Sequence, residues 1–432
     1  MTLTKNATRV KTALARRGDQ LFAKAAAVAA DSMTLESYRS TEEILEPYAR
    51  ALSVINDHIT VPKSEIDEAA AAYDLIANRL VERLGWPRDA IRIHPQGSAS
   101  TRTLIRAPGA AKFDIDAVCE VDISRIEARD PMAFFDAAGQ ALDGLDVEKK
   151  KRCWCIKFAE KRFYLEFTPS VPLATVPAGM IEIQGLRAFL EAEYEDTALA
   201  VVDTPTQRWK TSNPAGLCEW IEKVAGRALV ASLVLEELRK SATAGVTTVP
   251  NQSVKIDETL RVAIRLFKRH RDMCVRRGLI DSETQPISII LVTLLTICYD
   301  GLADLIEARE IPMFPHPVDV LIGIADLLPN MIPPHPDFGY SLINPTVHSE
   351  NFAEKWNHDD GERADSFATW CGILKADLVS IRATADPREI EKKAREVFGC
   401  PADSKPGHAG GPGPATGVPR PPSAAPRTSG LA

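Results

Sequence analysis

The sequence predicts an α+β fold of two lobes, an N-terminal mixed sheet followed by a helical second lobe, and three observations carry that expectation. Residues 113–122 and 162–168 alternate apolar and polar side chains with the period of two that a strand with one buried face requires. After Pro205 the strands largely stop, and apolar residues recur at helical spacing over about 213–240, 257–277, 287–307, 317–328, 350–382 and 386–398. With 432 residues, 45% of them hydrophobic and 26% charged, the chain can bury a sizeable core and divide into two lobes. The expected layout is a lead or helix over 1–40, the sheet lobe over 41–205, the helical lobe over 206–400 and a tail over 401–432.

In chain order, the N-terminus carries Lys5, Arg9, Lys11, Arg16 and Arg17 without a continuous apolar run, so it reads as an ordinary helix or frayed lead rather than a secretory signal. Over Ser64–Leu84, Ser64 and Asp67 form a capping-box pattern, and Ile66, Leu75, Ile76 and Leu80 recur at helical intervals. Ile91–His94 reads as a short strand entering Gln96-Gly97-Ser98, a turn where glycine lets backbone N–H groups approach phosphate oxygens and Ser98 adds a hydroxyl. On the next strand Phe113, Ile115, Ala117, Cys119 and Val121 take one face, while Asp114 and Asp116 share the other. Glu120 and Asp122 continue that second face and read as solvated surface. Over 162–168, Phe163, Leu165 and Phe167 face a core and Tyr164, Glu166 and Thr168 face away from it. If the two strands are neighbours, Asp114, Asp116 and Glu166 converge. The longest apolar run, Ile287–Tyr299, is shorter than the ~20 residues of a bilayer span and reads as a buried helix, so no membrane partner is expected. From Pro401 onward Gly, Pro, Ala and Ser dominate, a composition that predicts disorder.

Three carboxylates in one place repel one another unless cations neutralise them, and hard oxygen donors favour magnesium. Two such ions, roughly 3.5–4 Å apart, suit the activation of an attacking hydroxyl and the departure of pyrophosphate. The run of Gly97-Ser98, Asp114-Ile115-Asp116 and Glu166 therefore points to nucleotidyl transfer. A net charge of −7 and a pI of about 5.7 argue against a surface built as a whole to hold duplex nucleic acid, although a nucleotide needs only a local basic cleft. The basic stretch Arg261, Arg265, Lys268, Arg269, Arg271, Arg276 and Arg277 is the place to look for one; most of these cations read as a solvated helix face, and Lys268 is singled out. The eight cysteines are scattered, with no Cys-x-x-Cys, and read as reduced thiols of a cytoplasmic protein without a zinc insertion for reading DNA. His270-Arg271-Asp272 and Asp337-Phe338-Gly339 match protein-kinase tripeptides, but Arg277 stands where a kinase needs Asn, and no Gly-rich loop precedes them.

The Gly-Ser turn, the acid-hydrophobic-acid strand and the distant third acid resemble the nucleotidyltransferases of the polymerase-β superfamily. Five later segments, Trp209–Pro214, Lys268–Asp272, Pro286–Ile290, Asn344-Pro345 and Asn351–Trp356, resemble the bacterial cGAS/DncV-like nucleotidyltransferases (CD-NTases), relatives of the oligoadenylate synthetases and of cGAS, over about residues 40–398. The resemblance implies that Asp114 and Asp116 ligate two Mg²⁺ ions, for which Mn²⁺ can substitute. It places Glu166 as the third carboxylate on the side of the attacking hydroxyl, a position more often Asp. Gly97 and Ser98, with Gln96 and Thr101 nearby, would contact the triphosphate, and Lys268 and Ser288 would grip it from the second lobe. Ser288 also has an ordinary reading as a helix cap. The implied activity is synthesis of a cyclic oligonucleotide from NTPs, ATP among them, as an antiphage signal for a separate effector, with the C-terminal tail a handle for conjugating enzymes. A non-cyclising transferase acting on RNA ends or a small substrate would use the same acids, and a non-enzymatic scaffold would have no need of them.

Overall fold

The computed structural model describes residues 3–16, 35–109, 111–127, 130–230, 255 and 258–401. The expected disorder after Pro401, and the part of the 213–240 helix beyond 230, lie outside those residues. Its main helices are α1 (Lys5–Arg16), α2 (Leu35–His58), α3 (Lys63–Leu84), α4 (Pro131–Ala141), α5 (Pro214–Ala225), α6 (Thr259–Arg276), α7 (Ser288–Glu307), α8 (Pro317–Leu327), α9 (Glu362–Arg382) and α10 (Pro387–Phe398). Seven strands, β1 (Ile91–Pro95), β2 (Phe113–Val121), β3 (Asp146–Lys149), β4 (Trp154–Lys157), β5 (Phe163–Pro172), β6 (Leu199–Asp203) and β7 (Arg208–Ser212), form one mixed sheet.

The sheet is built around β5. It pairs with β2 in parallel from Phe163 to Ser170 and with β4 antiparallel from Tyr164 to Phe167, and its end, Ser170 to Pro172, pairs antiparallel with β6, which carries β7. β1 closes the other side of β2, and the β3–β4 hairpin closes the sheet beyond β5. The alternation expected over 113–122 and 162–168 holds, with Phe113, Ile115, Phe163, Leu165 and Phe167 buried in one core with Ile66, Ile76 and Leu80 of α3 and Phe134 and Phe135 of α4. Trp86 stacks on Phe134 at 5.5 Å between ring centroids, and Trp209 of β7 meets the same ring at 5.4 Å. Burial of such rings and branched chains is the main driving force available to this lobe.

Three local expectations are corrected. α3 begins at Lys63 behind Pro62, with no side-chain cap; Asp67 instead binds Lys63 at 2.7 Å, so Ser64 and Asp67 do not form a capping box. Within the same helix Leu75 is 40% exposed and stands outside the apolar stripe that Ile66, Ile76 and Leu80 define. Strand structure continues past Pro205, because Trp209-Lys210-Thr211-Ser212 is β7, and Asn213 then caps α5 by accepting the Gly216 N–H at 2.9 Å.

The larger correction concerns α6. Fifteen of its 18 residues are buried, including Arg261, Arg265, Lys268, Arg269 and Arg271, so this is not a solvated basic face. A guanidinium carries five donors and can satisfy chain carbonyls that no regular element serves. Arg261 donates to Thr101 O, Arg265 to Asn56 O, and Arg269 to Arg106, Phe398 and Gly399 carbonyls at 2.8–3.3 Å. Burial pulls the Arg265 guanidinium down to about 10. Arg276 and Arg277 do face solvent.

The helical core gathers α2, α5, α6, α7, α8, α9 and α10, together with Ala7, Val10 and Ala13 of α1. α7, which takes up the apolar run after Ile287, lies within this core, with 78% of its most apolar 18 residues buried. α1 lies close against it: a Cβ on Gly301 would stand 2.6 Å from the Asn6 carbonyl. A seam between the lobes runs through residues 344–350. There Glu191 N–H donates to Thr346 O at 3.1 Å and His348 N–H to Phe189 O at 2.7 Å, while Asn344 and Asn351 hold the loop's own N–H groups.

Candidate active site

The parallel register sets Asp116 directly across from Glu166, and Asp114 across from Tyr164. Asp116 and Glu166 are 8% and 3% exposed, which removes most of the water that would otherwise shield them from each other. Burial, then the charges of Asp114 and Glu166, hold the Asp116 carboxyl well above its usual range against the opposing pull of Lys268 and Lys150. Glu166 is also pushed up, by burial first, although Lys150 lies 2.5 Å from its Oε1 and works in the other direction. Glu120, further along β2, is bound to His94 at 2.7 Å, and Asp122 accepts the Ser124 N–H at 3.0 Å. Those two acids take no part in the cluster.

The turn after β1 is shaped round Asp116. Gln96 N–H donates to Asp116 O at 3.1 Å, and Gly97 adopts a φ of 59°, where a Cβ would stand 2.5 Å from Asp116 Oδ2. Glycine is required there both for the backbone and for the carboxylate. Ser98 is half-buried and faces the cleft. The side chains of Gln96 and Thr101 also line it, but they are engaged within the lobe: Gln96 Nε2 reaches Thr168 at 3.4 Å, and Thr101 Oγ1 bonds Gly97 O and Thr103 Oγ1 at 3.0 and 2.8 Å.

From the helical side, Lys268 of α6 is buried and donates to Thr103 O at 3.1 Å, and burial lowers its amine to about 8. Ser288 is the first residue of α7, but Ile287 is the cap and no side chain caps the helix. Instead the Ser288 hydroxyl accepts from Arg271 Nη1 at 3.2 Å. Because the guanidinium can only donate, the Ser288 O–H hydrogen remains for another acceptor. Arg271 is itself set by Pro286 O at 3.0 Å and by Asp272 at 2.6 Å.

All nine residues singled out in the sequence line one cleft between the lobes, of about 1320 Å³. Of the other lining residues, Arg271 was named in the sequence only as part of the basic stretch, and Lys150 was missed. Lys150 belongs to the run Lys149-Lys150-Lys151-Arg152, which reads as solvated charge; its signal is its place in the hairpin leading to the strand of Glu166. The kinase tripeptides dissolve into structure. His270 is buried, accepts from Trp370 Nε1 at 3.1 Å and is 3.0 Å from Asp377, and Phe338 is 74% exposed in a turn closed by His335 and Gly339.

As the side chains stand, no three acidic, histidine or cysteine groups among the described residues are gathered round one point, and Glu166 is turned on to Lys150. The donor chemistry still suits a hard divalent cation: the candidates are carboxylate oxygens on adjacent strands, and their mutual repulsion is what such an ion would relieve.

The chain has the polymerase-β-like nucleotidyltransferase fold of the CD-NTases. The CD-NTase CdnG of Bradyrhizobium diazoefficiens, solved in complex with GTP, is similar with a TM-score of 0.53 over 80% of this chain and 97% of that one, at 18% identity. CdnC of E. coli MS115-1, solved with ATP, gives 0.50 over 81% and 97%, at 11% identity. In sequence, a c-di-GMP synthase of Roseivirga ehrenbergii is 27% identical over 277 residues, 62% of this chain and 61% of the relative, so the match spans about three fifths of that relative's length. No protein-family profile matches the chain.

Proposed function

We propose that this chain is a nucleotidyltransferase of the CD-NTase kind that joins NTPs into a cyclic oligonucleotide. The observation that carries the reading is the opposition, across one cleft, of Asp114, Asp116 and Glu166 to Lys268 and Ser288. A volume of about 1320 Å³ exceeds what one small ligand needs and leaves room for a donor and an acceptor nucleotide together. The similar proteins whose names mention GTP, ATP and c-di-GMP support purine nucleotides as the first substrates to try.

In this reading Gly97 N–H and the Ser98 hydroxyl take phosphate oxygens, while Lys268 and the Ser288 O–H hold the same triphosphate from α6 and α7. Asp114, Asp116 and Glu166 would hold two Mg²⁺ ions, which supply charge to the attacking oxygen and the departing pyrophosphate. A ribose hydroxyl gives up its proton to water and forms the new O–P bond at the α-phosphorus as the α–β anhydride breaks and pyrophosphate departs; the last such attack closes the ring. The protein's contribution is alignment and fixed charge. The product is read as a defence signal for a separate effector in the cytoplasm, a setting that the eight unpaired cysteines fit, and the tail as a handle for conjugation.

Incubation of the full chain with MgCl₂ and GTP, ATP or both, followed by phosphatase and mass spectrometry, is the direct test. Phosphatase-resistant cyclic masses are expected. Phosphatase-sensitive chains alone would establish the non-cyclising reading, and no product would return the fold to a binding role, which leaves the buried, mutually repelling acids without a purpose.

Two further results are expected. Gly97→Ala should slow synthesis at least about 100-fold, because displacing Asp116 and the turn by even ~1 Å destroys alignment, and should lower stability by about 1 kcal/mol; a wild-type rate would separate the turn from the chemistry. Lys268→Ala should raise the KM for NTP about tenfold or more with a smaller change in kcat, since it removes a charge-assisted contact to phosphate. Because the amine sits at about 8, wild-type kcat/KM should fall as pH rises through that value, and the variant should lack that limb. A flat wild-type profile there removes Lys268 from the triphosphate site.

A further inference from the structure

The turn that joins β3 to β4 has no task in the reaction as written, yet each of its residues is fastened. Lys150 N–H donates to Cys153 O at 2.9 Å, and Lys151 O accepts from Thr204 N–H and Thr204 Oγ1 at 3.1 and 2.9 Å. Lys151 Nζ lies 3.6 Å from Asp203, and Arg152, almost fully buried, reaches Asp203 at 3.4 Å and Glu350 of the interlobe seam at 3.3 Å. The backbone of the turn is therefore pinned by Thr204 within the sheet lobe, and the Arg152 side chain ties the turn to the interlobe seam. Lys150 and Lys151 both line the cleft, and it is Lys150 that meets the acids: its Nζ is 2.5 Å from Glu166 Oε1, and its side chain is 31% exposed against 4% for Glu166. Its ammonium also lies 5.9 Å from the centre of the Tyr164 ring.

We propose that Lys150 is the resident counter-cation of Glu166, and that a divalent ion must displace it before the third carboxylate can act. The proposal rests on the nucleotidyl-transfer reading above. A buried carboxylate left without a cation is strongly disfavoured, so Glu166 keeps the ammonium until something of greater charge replaces it. Ammonium and metal cannot share the same lone pairs at contact distance, because two cations there repel. On release Lys150 has somewhere to go, since the pinned turn keeps its stem beside the cleft and the Tyr164 ring offers a cation–π perch. A glutamate has one more rotatable bond than an aspartate, which lets the one carboxylate turn between lysine and metal. Metal binding to the nucleotide-free enzyme is thereby held down, and the exchange couples completion of the metal site to arrival of the charged substrate complex.

The test is Mn²⁺ binding to the full-length, nucleotide-free protein, read from the loss of the free-ion electron paramagnetic resonance signal. Lys150→Met and Lys150→Gln, which keep the stem without the charge, should bind Mn²⁺ at least about tenfold more tightly than wild type, the factor equivalent to one unit of charge coupling. Lys150→Arg should stay within about threefold of wild type because it keeps the cation. Asp116→Asn is measured alongside. If it binds Mn²⁺ as wild type does, the placement of metal on these acids is itself wrong. If it loses binding while Lys150→Met and Lys150→Gln bind no more tightly than wild type, the counter-cation role alone falls. A second measurement needs no variant: acetylation of wild-type lysines, mapped by mass spectrometry, should increase at Lys150 when Mn²⁺ is added, with Lys149 and Lys151 as internal references. Unchanged labelling of Lys150 overturns the displacement.

Discussion

Asp116→Asn, alone or with Asp114→Asn, is expected to lower cyclic nucleotide synthesis by at least about a thousandfold and at the same time to make the protein more stable at neutral pH. The activity loss follows from removing negative oxygens that an amide cannot replace. The stability gain follows from burial and the neighbouring acids, which hold the Asp116 carboxyl well above its usual range. A carboxyl raised in this way binds more protons in the folded than in the unfolded chain. Its contribution to stability is therefore present below the unfolded value, near pH 4, and is lost as pH rises towards the folded one. Asparagine removes that loss, so urea midpoints of variant and wild type should diverge as pH rises and converge towards about pH 4. Retained synthesis, or a variant less stable than wild type at neutral pH, would show that Asp116 is a structural acid.

Glu166→Gln is expected to cut kcat by about 100-fold or more while leaving donor-triphosphate affinity within about threefold. The amide keeps the length and can still accept a hydrogen bond from Lys150, so the fold should be undisturbed. What it loses is the charge on the side of the attacking hydroxyl. Single-turnover rates measured beside equilibrium binding of a non-reacting NTP analogue separate the two effects. Near-normal turnover would place the third acid elsewhere and leave the β2–β5 pairing without a catalytic meaning.

The faces of β2 and β5 are legible in sequence because alternation reports which side of a strand each residue takes. Their adjacency is not, since 49 residues, with a helix and a hairpin among them, intervene between Asp116 and Glu166 and only the folded register joins them. β7 escaped notice because Arg208–Ser212 offers one apolar residue, Trp209, among polar ones and so shows no alternation. The cations of α6 misled for a different reason. Charge suggests solvent, but their partners are carbonyls of distant segments, Asn56, Thr101, Thr103 and Phe398, which sequence does not place beside them. Lys150 was hidden among three other basic residues, and only the geometry of the hairpin distinguishes it.

The carbonyls of Thr101 and Thr103 hang from Arg261 and Lys268, and they close the same short loop that holds Gly97 and Ser98. The shape of the phosphate-facing turn is therefore not a property of the sheet lobe alone. It is suspended from the helix opposite, so a small tilt of α6 is transmitted to the turn through two hydrogen bonds.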